Sequence, residues 1–293
     1  MKSPVWLPLA LRVLLALLLG AFIIEVARGG TRATRSTKQT VGAPASATRL
    51  SVASAPVALL VTAPLPAVAA DLVSADCPPE MVLVAGDYCT RVEQRCQRWL
   101  DDEKLPFARC AEYERPSRCI GHRISLRVCI DRYEYTQPAE RLPRGDASFV
   151  IASQTCTAIG KRVCTESEWN FACEGEEMRP YPYGFARAPV CNQDRSALYE
   201  PGLRKQILKD WRQPSGSLSE CTSPFGVYDL AGNLDEPVLR DAPPSVYPFR
   251  NALKGGWWMA ARNRCRPATT AHDDHYSGVQ IGIRCCKAAG PAG

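Results

Sequence analysis

The first 76 residues contain no cysteine, although the chain of 293 holds fourteen. No two of the fourteen are spaced as CxxC, which argues against a zinc-thiolate site and leaves disulfides as the use for clustered cysteines. Histidine is scarce as well, at three residues: His122, His272 and His275. No Ser-His-Asp order, P-loop or dinucleotide fingerprint is present, so the common hydrolase and nucleotide-binding patterns are excluded. The net charge of +6 is spread along the chain without a basic stripe interleaved with aromatics, which excludes nucleic acid as a partner.

What the chain does hold is an even number of cysteines, all at or beyond Cys77, on a background that is 46% hydrophobic. That is the composition of an exported, disulfide-bearing domain with an ordinary core. The N-terminus agrees with export. Lys2 and Arg12 precede twelve apolar residues, 13–24, with the length of a signal-peptide core and short for a full span. Residues 1–27 are therefore read as a signal peptide or a signal anchor. Against this orientation stand Arg28, Arg32, Arg35 and Lys38, which outnumber the basic residues before the apolar run. Residues 28–76, rich in Ala, Pro, Thr and Ser, form a linker, and Ala67-Val68-Ala69 within it offers a late cleavage site. Residues 77–293 form the domain, with a cysteine-rich N-terminal part over 77–128.

Within the domain two helices are legible. Phe149, Ala152, Cys156 and Ile159 share one helical face, and Gly160 stands where a left-handed cap belongs. Thr165 and Glu168 make a capping box that opens a second helix through about Glu174, with Trp169, Ala172 and Cys173 on its buried face. The remainder reads as short strands and long loops punctuated by Gly and Pro.

Four signatures then follow in order: Gly160-Lys161-Arg162-Val163-Cys164-Thr165-Glu166-Ser167-Glu168-Trp169; Phe225-Gly226-Val227-Tyr228-Asp229-Leu230-Ala231-Gly232-Asn233-Leu234-Asp235-Glu236; Lys254-Gly255-Gly256-Trp257-Trp258; and Ile281-Gly282-Ile283-Arg284-Cys285. Together they resemble the formylglycine-generating enzymes, or sulfatase-modifying factors, whose motifs are GKRLPTEAEW, FGLYDMxGNVWEW, RGGSW and GFRC. Upstream, Met81-Val82-Leu83-Val84-Ala85-Gly86 and Ile130-Asp131-Arg132-Tyr133-Glu134-Tyr135-Thr136 look like the family's MVLVPGG and IDKYEVT. The resemblance covers about residues 78–286. It implies an irregular α+β fold, distantly related to C-type lectins, with two short helices, short strands and disulfide-stapled loops. The activity it implies is oxidation of a substrate cysteine to formylglycine by copper and dioxygen, through two cysteines after the glycine pair.

The family pattern pairs Cys156 with Cys285, and Cys173 with a partner for which Cys265 is the candidate. Cys265 has two placements. Counted on from Gly256 without a gap, Ala260 takes the first catalytic position and Cys265 the second. Counted back from Ile281, Cys265 is the structural partner of Cys173 and both catalytic positions are missing; this placement is preferred because it leaves no unpaired thiol on a buried helical face. In either count Ala260 removes one of the two thiolates that a soft Cu(I) ion needs. Cys285 and Cys286 are expected to close separate bridges, and the five cysteines of residues 77–119 to form local staples.

The resemblance also implies a calcium site built from the side chains of Asp229 and Glu236 and the carbonyls of Gly232 and Leu234, an oxygen set that suits Ca²⁺. A second site would begin at Asn192 and Gln193, with Asp210 as a loosely placed later ligand. His272-Asp273-Asp274-His275 has metal-ligand types in a polar stretch and reads as a solvated loop. Two functions remain open: a non-catalytic binding or structural module at the cell envelope, engaging protein, peptide or glycan and tethered to the membrane by its N-terminus; or a formylglycine-generating oxidase with a rearranged cysteine site.

Overall fold

The computed structural model describes residues 76–202, 206–241, 249–261 and 263–291. The expected signal or anchor segment, and the expected linker apart from Asp76, lie outside them. Among the described residues no helix is long and apolar enough to cross a membrane.

Helix α1 (Phe149–Ala158) starts at Ser148, whose hydroxyl accepts from the Ile151 N–H at 3.2 Å. Phe149, Ala152 and Cys156 face inward, as the 3.6-residue period requires. Ile159 does not: it is 44% exposed, because the helix stops at Ala158 and Ile159, at φ −106°, already turns off the helical face before Gly160 at φ 70°. Helix α2 (Glu166–Glu174) opens with both halves of the capping box: Thr165 Oγ1 accepts from the Glu168 N–H, and Glu168 Oε2 accepts from the Thr165 N–H at 2.8 Å. Six consecutive residues, Trp169 to Glu174, are buried, more than one amphipathic stripe allows. The helix therefore runs through the core with neighbours on all sides.

Eleven short strands complete the described residues: β1 (Met81–Cys89), β2 (Val92–Glu93), β3 (Cys96–Trp99), β4 (Cys110–Tyr113), β5 (Arg118–Cys119), β6 (Arg123–Asp131), β7 (Arg162–Val163), β8 (Glu236–Leu239), β9 (Asn251–Lys254), β10 (Ala268–Thr269) and β11 (Cys285–Ala288). They form an antiparallel sheet in the order β1-β6-β11-β7, a three-stranded sheet β10-β9-β8, and the pairs β2-β5 and β3-β4. The longest ladder, β1 on β6, runs from Met81 opposite Asp131 to Cys89 opposite Arg123. Val82, Val84, Val128 and Ile130 from this ladder pack against Trp169 and Phe171 of α2 and against Leu230 and Val238, which is the main core. The architecture is an irregular α+β fold.

All fourteen cysteines are bonded, in seven bridges. Cys89–Cys119 and Cys96–Cys110 staple the N-terminal part locally, but Cys77 reaches beyond that segment to Cys129 on β6. Side chains alternate sides along a strand, so the adjacent Cys285 and Cys286 on β11 close different bridges, to Cys156 on α1 and to Cys164 beyond β7. Cys173 is bonded to Cys265, and Cys191 to Cys221.

Candidate functional site

After β9 the chain makes a turn through Gly255 and Gly256, at φ 82° and 74°, a conformation that glycine adopts without strain. A side chain at Gly256 would meet the Asn263 amide. Asn263, fully buried, closes the following loop: its Nδ2 donates to the Trp257 carbonyl at 2.5 Å and its Oδ1 accepts from the Ala261 N–H at 3.2 Å. The loop is anchored from outside by Arg195, whose N–H donates to the Trp258 carbonyl, and by Cys265, whose N–H donates to the Pro180 carbonyl. Trp258 goes into the core, whereas Trp257 faces a cavity of about 500 Å³.

That cavity is lined by Ala260, the first catalytic position of the ungapped count. Its walls include Trp257, Met259, Ala260, Ala261, Pro267 and the exposed Phe107, and it contains no thiol. Cys265, the second catalytic position of the ungapped count, is completely buried and bonded to Cys173, so it is neither a free thiolate nor a wall residue. With no thiolate available, the residues present do not fit a Cu(I) site. One wall residue is a carboxylate, Asp235, which stands where the quoted GNVWEW motif has tryptophan and to which the resemblance assigns no role. Burial pushes its pKa up to about 7, opposed by the hydrogen bond it accepts from the Gly256 N–H and reinforced by the neighbouring Glu236.

Behind Asp235 lies the loop expected to hold calcium. Gly232, at φ 83°, packs so closely on the Asn192 carbonyl that any side chain would collide with it. Asn233 is the hub: its Nδ2 donates to Glu134 Oε2 at 2.5 Å, and its Oδ1 accepts from Asn192 Nδ2 and from the Gln213 N–H, both at 2.9 Å. Asp229 Oδ2 accepts from the Gly216 N–H at 2.6 Å. Burial raises the pKa of Asp229 to about 6 and, with Asp229 and Glu236 nearby, holds that of Glu134 well above the usual carboxylate range. Glu134 is buried, and its Oε1 has no hydrogen-bond partner among the described residues.

Glu236 is densely hydrogen-bonded. Both of its oxygens accept from Arg284, at 2.7–2.9 Å, and Oε2 accepts also from the Trp169 indole N–H at 2.6 Å. A guanidinium thus sits against the carboxylate, because the Ile281–Cys285 signature and the start of β8 meet in the core. Of the expected calcium donors, Asp229 accepts from Gly216 on Oδ2 and Glu236 accepts from Arg284 and Trp169; Glu134 is a further acid near both. At the second expected site, Asn192 spends its amide on Trp211 and Asn233 and its Oδ1 on Arg195, while Asp210 is paired with Arg212. Gln193 donates to Tyr183 and Ala188. Among the described residues no three His, Cys, Asp or Glu side chains converge in a way that would hold a metal. The His272–His275 stretch is tied down by other means: His272 stacks on Tyr276, Asp273 accepts from the His275 N–H, and Asp274 accepts from Arg250 and Asn251.

Comparison with known proteins bears on this geometry. Residues 107–289 match the family described as "Sulfatase-modifying factor enzyme 1-like domain". A Mus musculus protein named "Inactive C-alpha-formylglycine-generating enzyme 2" is 27% identical over 156 residues, covering 51% of this chain and 50% of the mouse protein. The chain thus spans about half the length of that curated relative. Among solved structures, CarF superposes with a TM-score of 0.48 at 15% identity, over 72% of this chain and 98% of that one. PvdO from Pseudomonas aeruginosa gives 0.44 at 17%, over 71% and 94%.

Proposed function

The chain belongs to the sulfatase-modifying factor enzyme 1-like family, and from that premise we propose that it is a non-catalytic binding module, exported and tethered at the cell envelope by residues 1–27, that receives a partner in the cavity beside Ala260. The observation that carries this reading is the state of the thiols. Copper chemistry of the family type needs two thiolates after the glycine pair. Here Ala260 and Ala261 stand in the wall, and every cysteine is committed to a bridge. The relative named inactive is consistent with a family branch of this kind, and seven disulfides fit an oxidising compartment. Turnover of a cysteine peptide by copper-loaded protein is the test, and no aldehyde product is expected.

The proposal includes a bound Ca²⁺, held by Asp229 and Glu134 with the carbonyls of Gly232 and Leu234. What supports it is oxygen donor chemistry and the orphaned buried oxygen of Glu134. Saturation at a hundred times Kd stabilises a fold by about 2.7 kcal/mol. Melting in calcium and in chelator should differ accordingly for the wild type and not for Asp229→Asn; a wild type that melts identically in both removes the ion from this account.

A further inference from the structure

The cavity beside Ala260 has an uneven chemistry. Apolar side chains and two threonines make most of its wall, and among the described residues Asp235 is the single charged side chain that lines it. That carboxylate is 9% exposed and accepts a hydrogen bond from the Gly256 N–H. Its charged neighbour is Glu236, which is of the same sign and already balanced by Arg284. Among the described residues no Lys, Arg or His forms an ion pair with it. A buried carboxylate without a counter-charge is costly and is drawn toward its protonated form, and an incoming cation offsets that cost and favours the charged form. Trp257 stands in the same cavity, and an indole is the neutral side chain that best attracts an ammonium or guanidinium. The volume of about 500 Å³ accommodates one long side chain or an arylalkyl group.

We propose that this cavity is a receptor for an organic cation on an apolar body, the charge meeting Asp235 and the body meeting Trp257, Met259 and Pro267. The occupant is an ammonium or guanidinium group of the kind a basic peptide side chain or an arylalkyl amine presents. This rests on the binding-module reading and names its ligand class.

The test is isothermal titration of the full-length, oxidised protein with 4-phenylbutylamine and with its neutral analogue 4-phenylbutan-1-ol. The wild type should bind the amine at least tenfold more tightly than the alcohol. In Asp235→Asn the two should bind alike, and Ala260→Trp, which fills the cavity from an exposed wall position without touching the carboxylate, should lose both. Equal binding of amine and alcohol by the wild type, a preference that survives in Asp235→Asn, binding unaffected by Ala260→Trp, or no binding of either probe would each overturn the proposal. Failure of the binding-module reading has a separate readout, aldehyde product in the turnover assay.

Discussion

Replacing Arg284 by methionine should cost the domain about 3–5 kcal/mol, the range found when one partner of a buried ion pair is removed. Arg284 and Glu236 are essentially inaccessible to solvent. Besides gripping Glu236, the guanidinium donates to the carbonyls of Asp131 at 2.9 Å and Tyr228 at 2.8 Å, so one side chain ties the end of β6, the 228–235 loop and β8 together. Its loss strands the Glu236 carboxylate beside Asp229 and Glu134, all three buried. A melting point lower by on the order of 10 °C follows for a domain of this size. The double change Arg284→Met/Glu236→Met should lose less than the single one, because the Glu236 carboxylate is then no longer left buried without its partner. Urea or thermal unfolding of the three proteins under non-reducing conditions measures both. A single variant that loses under about 1 kcal/mol would show that the pair is not the clamp described here.

The second large effect concerns Cys173 and Cys265. Changing both to alanine should destabilise by about 2–5 kcal/mol, since the bridge closes a long loop and its removal frees the unfolded chain. The sequence separation is 92, but Cys191–Cys221 lies inside that loop and Cys156–Cys285 and Cys164–Cys286 enclose it, so the entropic gain is smaller than for an isolated loop of that length. Peptide mapping of non-reduced protein reads the same bond directly. Cys265 alkylated while Cys173, Cys156 and Cys285 stay protected would break the assignment and return Cys265 to the list of reactive thiols.

Local signals in the sequence and long-range ones differed in what they revealed. The second helix was legible from Thr165 to Glu174 because a capping box and a 3.6-residue period are both local. Its near-complete burial was not, since that depends on β1, β6 and β8 closing around it. Ile159 illustrates the limit of periodicity, which continues a face past the residue where the backbone leaves the helix. Glu236 was read by its motif as a calcium ligand, but its partner is 48 residues away in Arg284, a pairing that exists only once β8 and β11 share a core. Asp235 lies inside the second signature, but the resemblance assigns a role to its neighbours Leu234 and Glu236 and none to it. The departure from tryptophan to aspartate in the GNVWEW pattern was visible, yet its meaning depends on the cavity, which forms only when the Gly255-Gly256 turn and the loop closed by Asn263 come together.

The most direct measurement is turnover. Copper-loaded, oxidised protein is incubated under air with a CxPxR-type peptide, beside an active formylglycine-generating enzyme as control, and the peptide is weighed by mass spectrometry. The account predicts unchanged peptide with this protein and aldehyde with the control, because dioxygen activation starts from Cu(I) on two thiolates and the loop after Gly256 offers Met259, Ala260 and Ala261 with Cys265 locked to Cys173. Aldehyde formed by this protein, and lost on Cys265→Ser, would contradict it.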